Sequence, residues 1–223
     1  MSRLRARCPN CRTLTAVALG DTYECHACGS SFEAGLVRVP RAWGADGEEM
    51  AEAAFLPLPY PEVAVVDEET LEEQTLALAA ALPDRPVVIG GCCCAHTGAV
   101  EGLAAQYERL AVVWLDAHGD LNTPETSPTG NVHGMPLAAA LGLTDGRFAS
   151  EMWTLPAVEP SRVALVGLRS LDTRERERIR ELGIRAYTMS DIDRIGIERA
   201  IRESLTQIAG PGFVHVSLVT SAR

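Results

Sequence analysis

LAVVWLDAHGD, residues 110–120, decides the fold: six apolar residues read as a buried β-strand, and polar groups begin abruptly at its carboxyl end. After the strand, Asp116, His118 and Asp120 occupy alternate positions, so an extended backbone sends all three side chains to one side. Two carboxylates and an imidazole converging there make a candidate ligand set for a divalent metal. Working backwards, TGAVEGLAAQYERL (97–110) reads as a helix, PVVIGG (86–91) as a short buried strand and DEETLEEQTLALAAAL (67–82) as an amphipathic helix with acids in its first turns. Working forwards, the alternation continues. VALVGL (163–168), IRAYTM (184–189) and FVHVSL (213–218) read as strands, with DTRERERIRELG (172–183) and IDRIGIERAIRESLTQIA (192–209) as helices between them. Strands alternating with helices predict an α/β domain, a three-layer αβα architecture with a mostly parallel sheet. Ligands in such folds gather outside the carboxyl ends of the strands, so the loops GGCCCAHTG (90–98) and 115–135 are the places to look.

Ahead of this domain stands CPNCRTLTAVALGDTYECHACGSSF (8–32), with two CxxC pairs, Cys8/Cys11 and Cys25/Cys28, separated by thirteen residues. Two tight turns at this spacing bring four thiolates into a tetrahedron around Zn2+, and the alternating TLTAVAL and DTYEC between them read as a hairpin. The expectation is a small N-terminal zinc ribbon over residues 1–42, with Gly29 suiting the second turn and His26 as a competing ligand. Residues 43–66, mixing proline, glycine and acids, read as a linker or arm, and 67–223 as the α/β domain.

Composition narrows the chemistry. The chain has 223 residues, is 47% hydrophobic and carries a formal charge of −10, and its 20 basic residues are all arginine. No lysine is available for a Schiff base or a phosphate-binding GxxxxGK[ST] loop. The net negative charge disfavours phosphate backbones, and nucleic acid is not expected as a partner; residues 1–42 carry six arginines against three acids, a mild local +3. No apolar run reaches membrane-spanning length and MSRLRAR leads into cysteines instead of a signal-peptide core, so no membrane association is expected and the chain is placed in the cytoplasm. Seven cysteines, two pairs and the triplet Cys92-Cys93-Cys94, do not make a disulfide framework.

VVIGG (87–91), DAHGDLNTPETSPTGNVHGMPLA (116–138), VGLRSLDTRERERIRELGIRAYTMSDID (166–193) and FVHVSL resemble successive blocks of the ureohydrolase superfamily of arginases, agmatinases and formimidoylglutamases, closest to arginases in the loop through Asn131 and His133. The resemblance covers residues 55 to 218. It implies an incomplete arginase-like fold that hydrolyses the C–N bond of a small guanidino or amidine substrate, releasing urea, at a pair of Mn2+ ions. It implies further that Asp116 bridges the ions, that Asp120 and His118 each bind one, and that His133 shuttles protons. Asn122, Thr129 and Asn131 would hold the substrate's α-carboxylate, with Asp172 and Glu175 near its α-amino group; alternatively Thr129 and Asn131 satisfy the loop's own backbone. A possible homo-oligomer is implied as well.

Two stretches depart from the family. Cys93 stands where the family has a metal-binding histidine, which shifts preference from Mn2+ toward Zn2+ or Fe2+; His96 is an alternative ligand, and small buried side chains under the loop are the third reading of the triplet. After FVHVSL the family has two aspartates one residue apart, where this chain has Val219 and Ser221. On this ground a C-terminally truncated or frame-shifted chain with impaired activity is expected. The alternative function is a non-catalytic zinc-binding or partner-docking protein that keeps the α/β domain as scaffold.

Overall fold

The computed structural model describes residues 5, 8, 10–11, 13–19, 22–45, 47–56, 58, 60, 62–144, 157–208, 210 and 212–219. The first unit is a three-stranded antiparallel sheet of β1 (Ala16–Leu19), β2 (Thr22–Cys25) and β3 (Ser31–Glu33). β1 and β2 pair as a hairpin, Ala16 opposite Cys25 and Leu19 opposite Thr22. Its small core holds Cys8, Ala16, Tyr23 and Cys25, and Gly29 adopts φ 70°, the left-handed conformation its turn requires.

The α/β domain begins earlier than the sequence suggested. β4 (Gly35–Val39) is the middle strand of a parallel sheet, followed by the short α1 (Gly47–Ala51), β5 (Glu62–Val65), α2 (Leu71–Ala81) and β6 (Pro86–Gly90). The strand order is β5-β4-β6, with Leu36 level with Val87 and Arg38 with Ile89. β4 thus lies within the stretch expected as ribbon, 1–42, and α1 and β5 within the stretch expected as an arm, 43–66. GLVRV is buried on both faces in a sheet, and a short unalternating run read from sequence beside prolines looks like a connector.

After α3 (Ala95–Gln106) come β7 (Leu110–Leu115), α4 (Pro136–Ala140), β8 (Val163–Leu168), α5 (Thr173–Glu181), β9 (Arg185–Thr188), α6 (Met189–Ile195), α7 (Ile197–Ile208) and β10 (Phe213–Leu218). They form a second, all-parallel sheet in the order β10-β7-β8-β9. The single helix expected over 192–209 is two, because Gly196 ends α6 at φ 84°, where the amide of Gly196 still bonds the Ile192 carbonyl.

Alternate residues of β7 build the two cores. Val112 and the fully buried Trp114 face Leu78, Val100 and Leu103 of α2 and α3, whereas Ala111 and Val113 face Ala200 and Ile208 of α7. This is the three-layer αβα arrangement, and burying each such Val, Leu or Ile contributes about 1.5–3 kcal/mol. α2 and α3 approach so closely that a Cβ on Gly98 would lie 2.8 Å from the Thr75 carbonyl oxygen. α3 also ties the two sheets together: Tyr107, just after its last residue, stacks on Phe213 at the start of β10 and donates to the Asp84 carbonyl before β6, while its His96 reaches Ser217 near the end of β10. The carboxyl ends of β6, β7 and β10 thus open toward one end of α3. Among the described residues no helix is long and apolar enough to cross a membrane.

Candidate metal centres

At the ribbon, the sulfurs of Cys8, Cys11, Cys25 and Cys28 all lie within 4.8 Å of one another. Local backbone bonds shape both knuckles: the amide of Cys8 donates to the Thr13 carbonyl, that of Cys25 to Ser30 and that of Gly29 back to Cys25. The Thr15 hydroxyl, 3.2 Å from the Cys25 sulfur, is the main cause that lowers the pKa of the Cys25 thiol and favours its thiolate. His26 is exposed and stands outside the four-sulfur cluster.

The second cluster lies where β6 and β7 end. Cys93, Asp116 and Asp120 place a sulfur and two carboxylate oxygens within 4.8 Å of one another, with Asp116 only 4% and Asp120 2% exposed. β7 delivers Asp116, whose amide continues the ladder to the Val166 carbonyl and whose Oδ1 accepts the amide of His118. Asp120 sits at φ 49°, a left-handed conformation that Asp adopts more readily than most residues and that turns its carboxylate inward. The turn before α3 supplies Cys93. One oxygen of each carboxylate, Oδ2 in both cases, is buried without a hydrogen-bond partner. Burial, followed by the charges of Asp116 and Glu175, holds the Asp120 carboxyl well above the usual carboxylate range; burial beside the same two aspartates does likewise for the Cys93 thiol. Two buried carboxylate oxygens without a partner, on residues clustered with one sulfur, make a negatively charged site that suits a cation.

His118 is not part of that triad: its side chain is 50% exposed, with Nδ1 3.5 Å from Asp116 Oδ1, a contact that raises its pKa. His96, the alternative ligand, points into the core instead. Its Nε2 lies 2.9 Å from Ser217 Oγ, its ring packs on Trp114, and burial lowers its pKa to about 3, so it stays neutral.

The other sequence candidates fall into two groups. Asn122, Asp172 and Glu175 meet in a network that holds the 116–123 loop: Asn122 Nδ2 donates to Asp172 Oδ2 at 2.6 Å, and Glu175 Oε1 accepts the amides of Gly119 and Leu121. Asp172 and Glu175 also cap α5 reciprocally, which is why the T-R-E sequence starts a helix there. A Cβ at Gly119 would stand 2.9 Å from Glu175 Oε1, so the loop needs glycine for this approach. Glu175 is thus buried and committed to backbone amides. Thr129, Asn131 and His133 line the outer part of the loop; Thr129 Oγ1 accepts the Asn131 amide, and Asn131 Oδ1 accepts the amide of Ala45.

Residues 43–45 are the part of the site that sequence reasoning missed. Trp43 donates its amide to Cys92 Sγ and its indole to Gln74 Oε1, and Gly44 lies so close that a Cβ would meet His133 at 3.2 Å. A lone Trp-Gly pair after a proline was the one available signal. Val219 continues β10 beside β7, donating its amide to the Leu115 carbonyl, and so brings an isopropyl group alongside Asp116; Ser221 lies outside the described residues.

The Arginase family model matches residues 37–220. The arginase of Bacillus subtilis (strain 168) is 45% identical over 133 residues, 60% of this chain and 45% of that protein. Among solved structures, the arginase from Bacillus caldovelox is 33% identical with a TM-score of 0.70, covering 83% of this chain and 74% of that one. The arginase from Bacillus subtilis is 31% identical with a TM-score of 0.75, covering 83% and 73%. The chain spans a little under half the length of the curated relatives it matches.

Proposed function

The chain belongs to the arginase family, and on that premise we propose that it is a metal-dependent hydrolase of the C–N bond of a linear amidine, releasing urea from a small guanidino compound. The observation that carries this reading is the buried cluster of Cys93, Asp116 and Asp120 with its two partnerless carboxylate oxygens at the strand ends. The donors fit a divalent cation, since they offer negative charge, stand close enough to share one ion and leave Oδ2 of each carboxylate buried without a hydrogen-bond partner. When bound, such an ion supplies Lewis acidity and brings the pKa of water toward neutrality.

The remaining steps belong to the chain's own residues. Asp116 and Asp120 hold negative charge beside the cationic guanidinium. The half-exposed His118 and the half-buried His133 stand at the solvent side, placed to carry protons between the reacting group and water. Asn122, Thr129 and Asn131 offer amide and hydroxyl groups to the substrate's polar end. Glu175 and Asp172 act one step back, fixing the loop that presents Asp116 and Asp120. Because Val219 brings no carboxylate to the cluster, turnover is expected to be impaired. Further parts of the reading are Zn2+ in the ribbon, held by Cys8, Cys11, Cys25 and Cys28, and a reducing, cytoplasmic setting suited to seven free thiols.

The test is urea release from arginine, agmatine and related guanidino compounds with added Mn2+ or Zn2+. Release that depends on Asp116 supports hydrolysis. No release from the chain, nor from a Val219→Asp/Ser221→Asp variant, overturns it and favours the docking reading, for which the self-contained sulfur cluster of the ribbon is the specific observation. In that case metal analysis finds one zinc, lost on changing Cys8 and Cys11 to Ser and indifferent to Asp116.

A further inference from the structure

We propose that Cys93 makes the strand-end cluster a single-ion site selective for thiophilic divalent cations, Zn2+ above all, against Mn2+. The inference deepens the hydrolase reading and rests on it only for the catalytic meaning of the site. Three observations carry it. The donor set is one sulfur and two carboxylates, all within 4.8 Å of one another. Sulfur donors favour Zn2+ and other soft or borderline ions, whereas Mn2+ prefers an all-oxygen or mixed oxygen and imidazole shell. Three protein ligands with one open position is also the usual make-up of a catalytic zinc site.

The second observation is that each carboxylate of the cluster keeps one buried oxygen without a hydrogen-bond partner. Asp116 Oδ2 and Asp120 Oδ2 have no partner, and both residues are more than nine-tenths buried. An acidic pair without that feature would be a solvated or mutually bonded loop. The third is the fate of the groups a second ion would need. His118 stands outside the triad with half its side chain exposed, the His96 ring is occupied by Ser217 and Trp114, and Val219 presents only methyl groups from β10. Among the described residues the donors around Asp116 suffice for one ion, and a thiol is among them.

The experiment uses the full chain, loaded first with one equivalent of Zn2+ to fill the four-thiolate ribbon and then titrated with Co2+. The expected result is a second equivalent that brings a sulfur-to-cobalt charge-transfer band in the near ultraviolet. That band should be missing in Cys93→Ser, while Asp120→Asn should keep it but bind on the order of 10–100-fold more weakly. Zn2+ should displace the Co2+, and Mn2+ should not. In Cys93→His, which leaves the two carboxylates and restores a nitrogen donor, Mn2+ should compete at least about tenfold better relative to Zn2+. A second equivalent without the band, no second equivalent at all, or Mn2+ competition unchanged by Cys93→His overturns the proposal. Circular dichroism of each variant checks folding, and Asp120→Asn, which retains the sulfur, keeps the test decisive if Cys93→Ser fails to fold. The two readings fail separately: a thiolate band without urea release defeats hydrolysis alone, and urea release without the band defeats ion selectivity alone.

Discussion

The two ligand clusters are built in opposite ways. In the ribbon, four sulfurs from one stretch of about twenty residues converge on a core of only a few side chains, and two short turns do nearly all the positioning. At the strand ends, Cys93 comes from the turn after one sheet and Asp116 and Asp120 from the loop after a strand of another, and their placement rests on two extensive apolar cores. The ribbon is too small to fold on apolar burial, so an ion bound there would be a folding element. The α/β domain folds around its cluster, and an ion there relieves charge that the fold has already confined. Metal should therefore decide the existence of the first site and only the occupancy of the second.

The largest effect that could break this contrast is metal removal. Strong chelation, or Cys8→Ser with Cys11→Ser, should unfold residues 8–33 while leaving the α/β domain intact, because structural zinc supplies about 10–16 kcal/mol of folding free energy in modules of this kind. Hydrogen exchange by mass spectrometry checks it; simultaneous loss of protection in β7 and β8 would show that the two units are one. Next comes Glu175→Ala. It strands the amides of Gly119 and Leu121 and removes half of the α5 capping box, about 3 kcal/mol at roughly 1–3 kcal/mol per orphaned group. Thermal unfolding of the α/β domain should drop accordingly and ion affinity at the strand ends should fall with it, whereas the ribbon should be unaffected.

Acid sharpens the comparison by acting on the domain with no metal involved. His215 of β10 is half-buried with its Nε2 enclosed and partnerless, and burial lowers its pKa to about 4. The groups facing it include the neutral His96 ring, 5.8 Å away on α3, and among the described residues burial alone accounts for the shift. The unfolded chain takes up a proton near pH 6.5 and the folded chain does not until about 4. Stability is thus full above 6.5 and falls as pH drops through that window, by about 2 kcal/mol once partial solvent screening of the half-buried ring is allowed for. His215→Gln should flatten that part of the pH profile in urea denaturation of the α/β domain. An unchanged slope would mean that the ring is already solvated.

How much of this could be read in the sequence follows from the same difference in construction. The ribbon cysteines are local in sequence, so the CxxC spacing alone suggested the cluster of Cys8, Cys11, Cys25 and Cys28, and the continuous apolar runs of β7 and its neighbours, set between helical stretches, suggested the parallel strands. The convergence of Cys93 with Asp116 and Asp120 was suggested by likeness to a family and is set physically by α3 crossing both sheets, which no local pattern encodes. Glu175 illustrates the limit. Sequence position put it beside a substrate, yet its burial and its two backbone amide bonds make it an anchor, a role visible only once the loop after β7 is folded against α5. β4 and residues 43–45 were hidden because a short central strand and an irregular segment carry no periodicity of their own.

The smallest expected effect is also the one that separates the clusters by sign. Asp120→Asn removes one of two buried, neighbouring carboxylates, and asparagine tolerates the φ 49° backbone as well as aspartate does. In the metal-free chain, where burial and the neighbouring Asp116 penalise the charge of Asp120, the variant should be more stable than the parent by about 1 kcal/mol. With the ion present the order should reverse, because the parent gains binding free energy that the variant has largely lost. No cysteine substitution in the ribbon can show this crossing: with four thiolates and hardly any apolar core, removing one leaves the metal-free state no more folded than before. Paired melting curves with and without Zn2+, read at β7 and at β2, therefore distinguish a site that an ion builds from a site that an ion occupies.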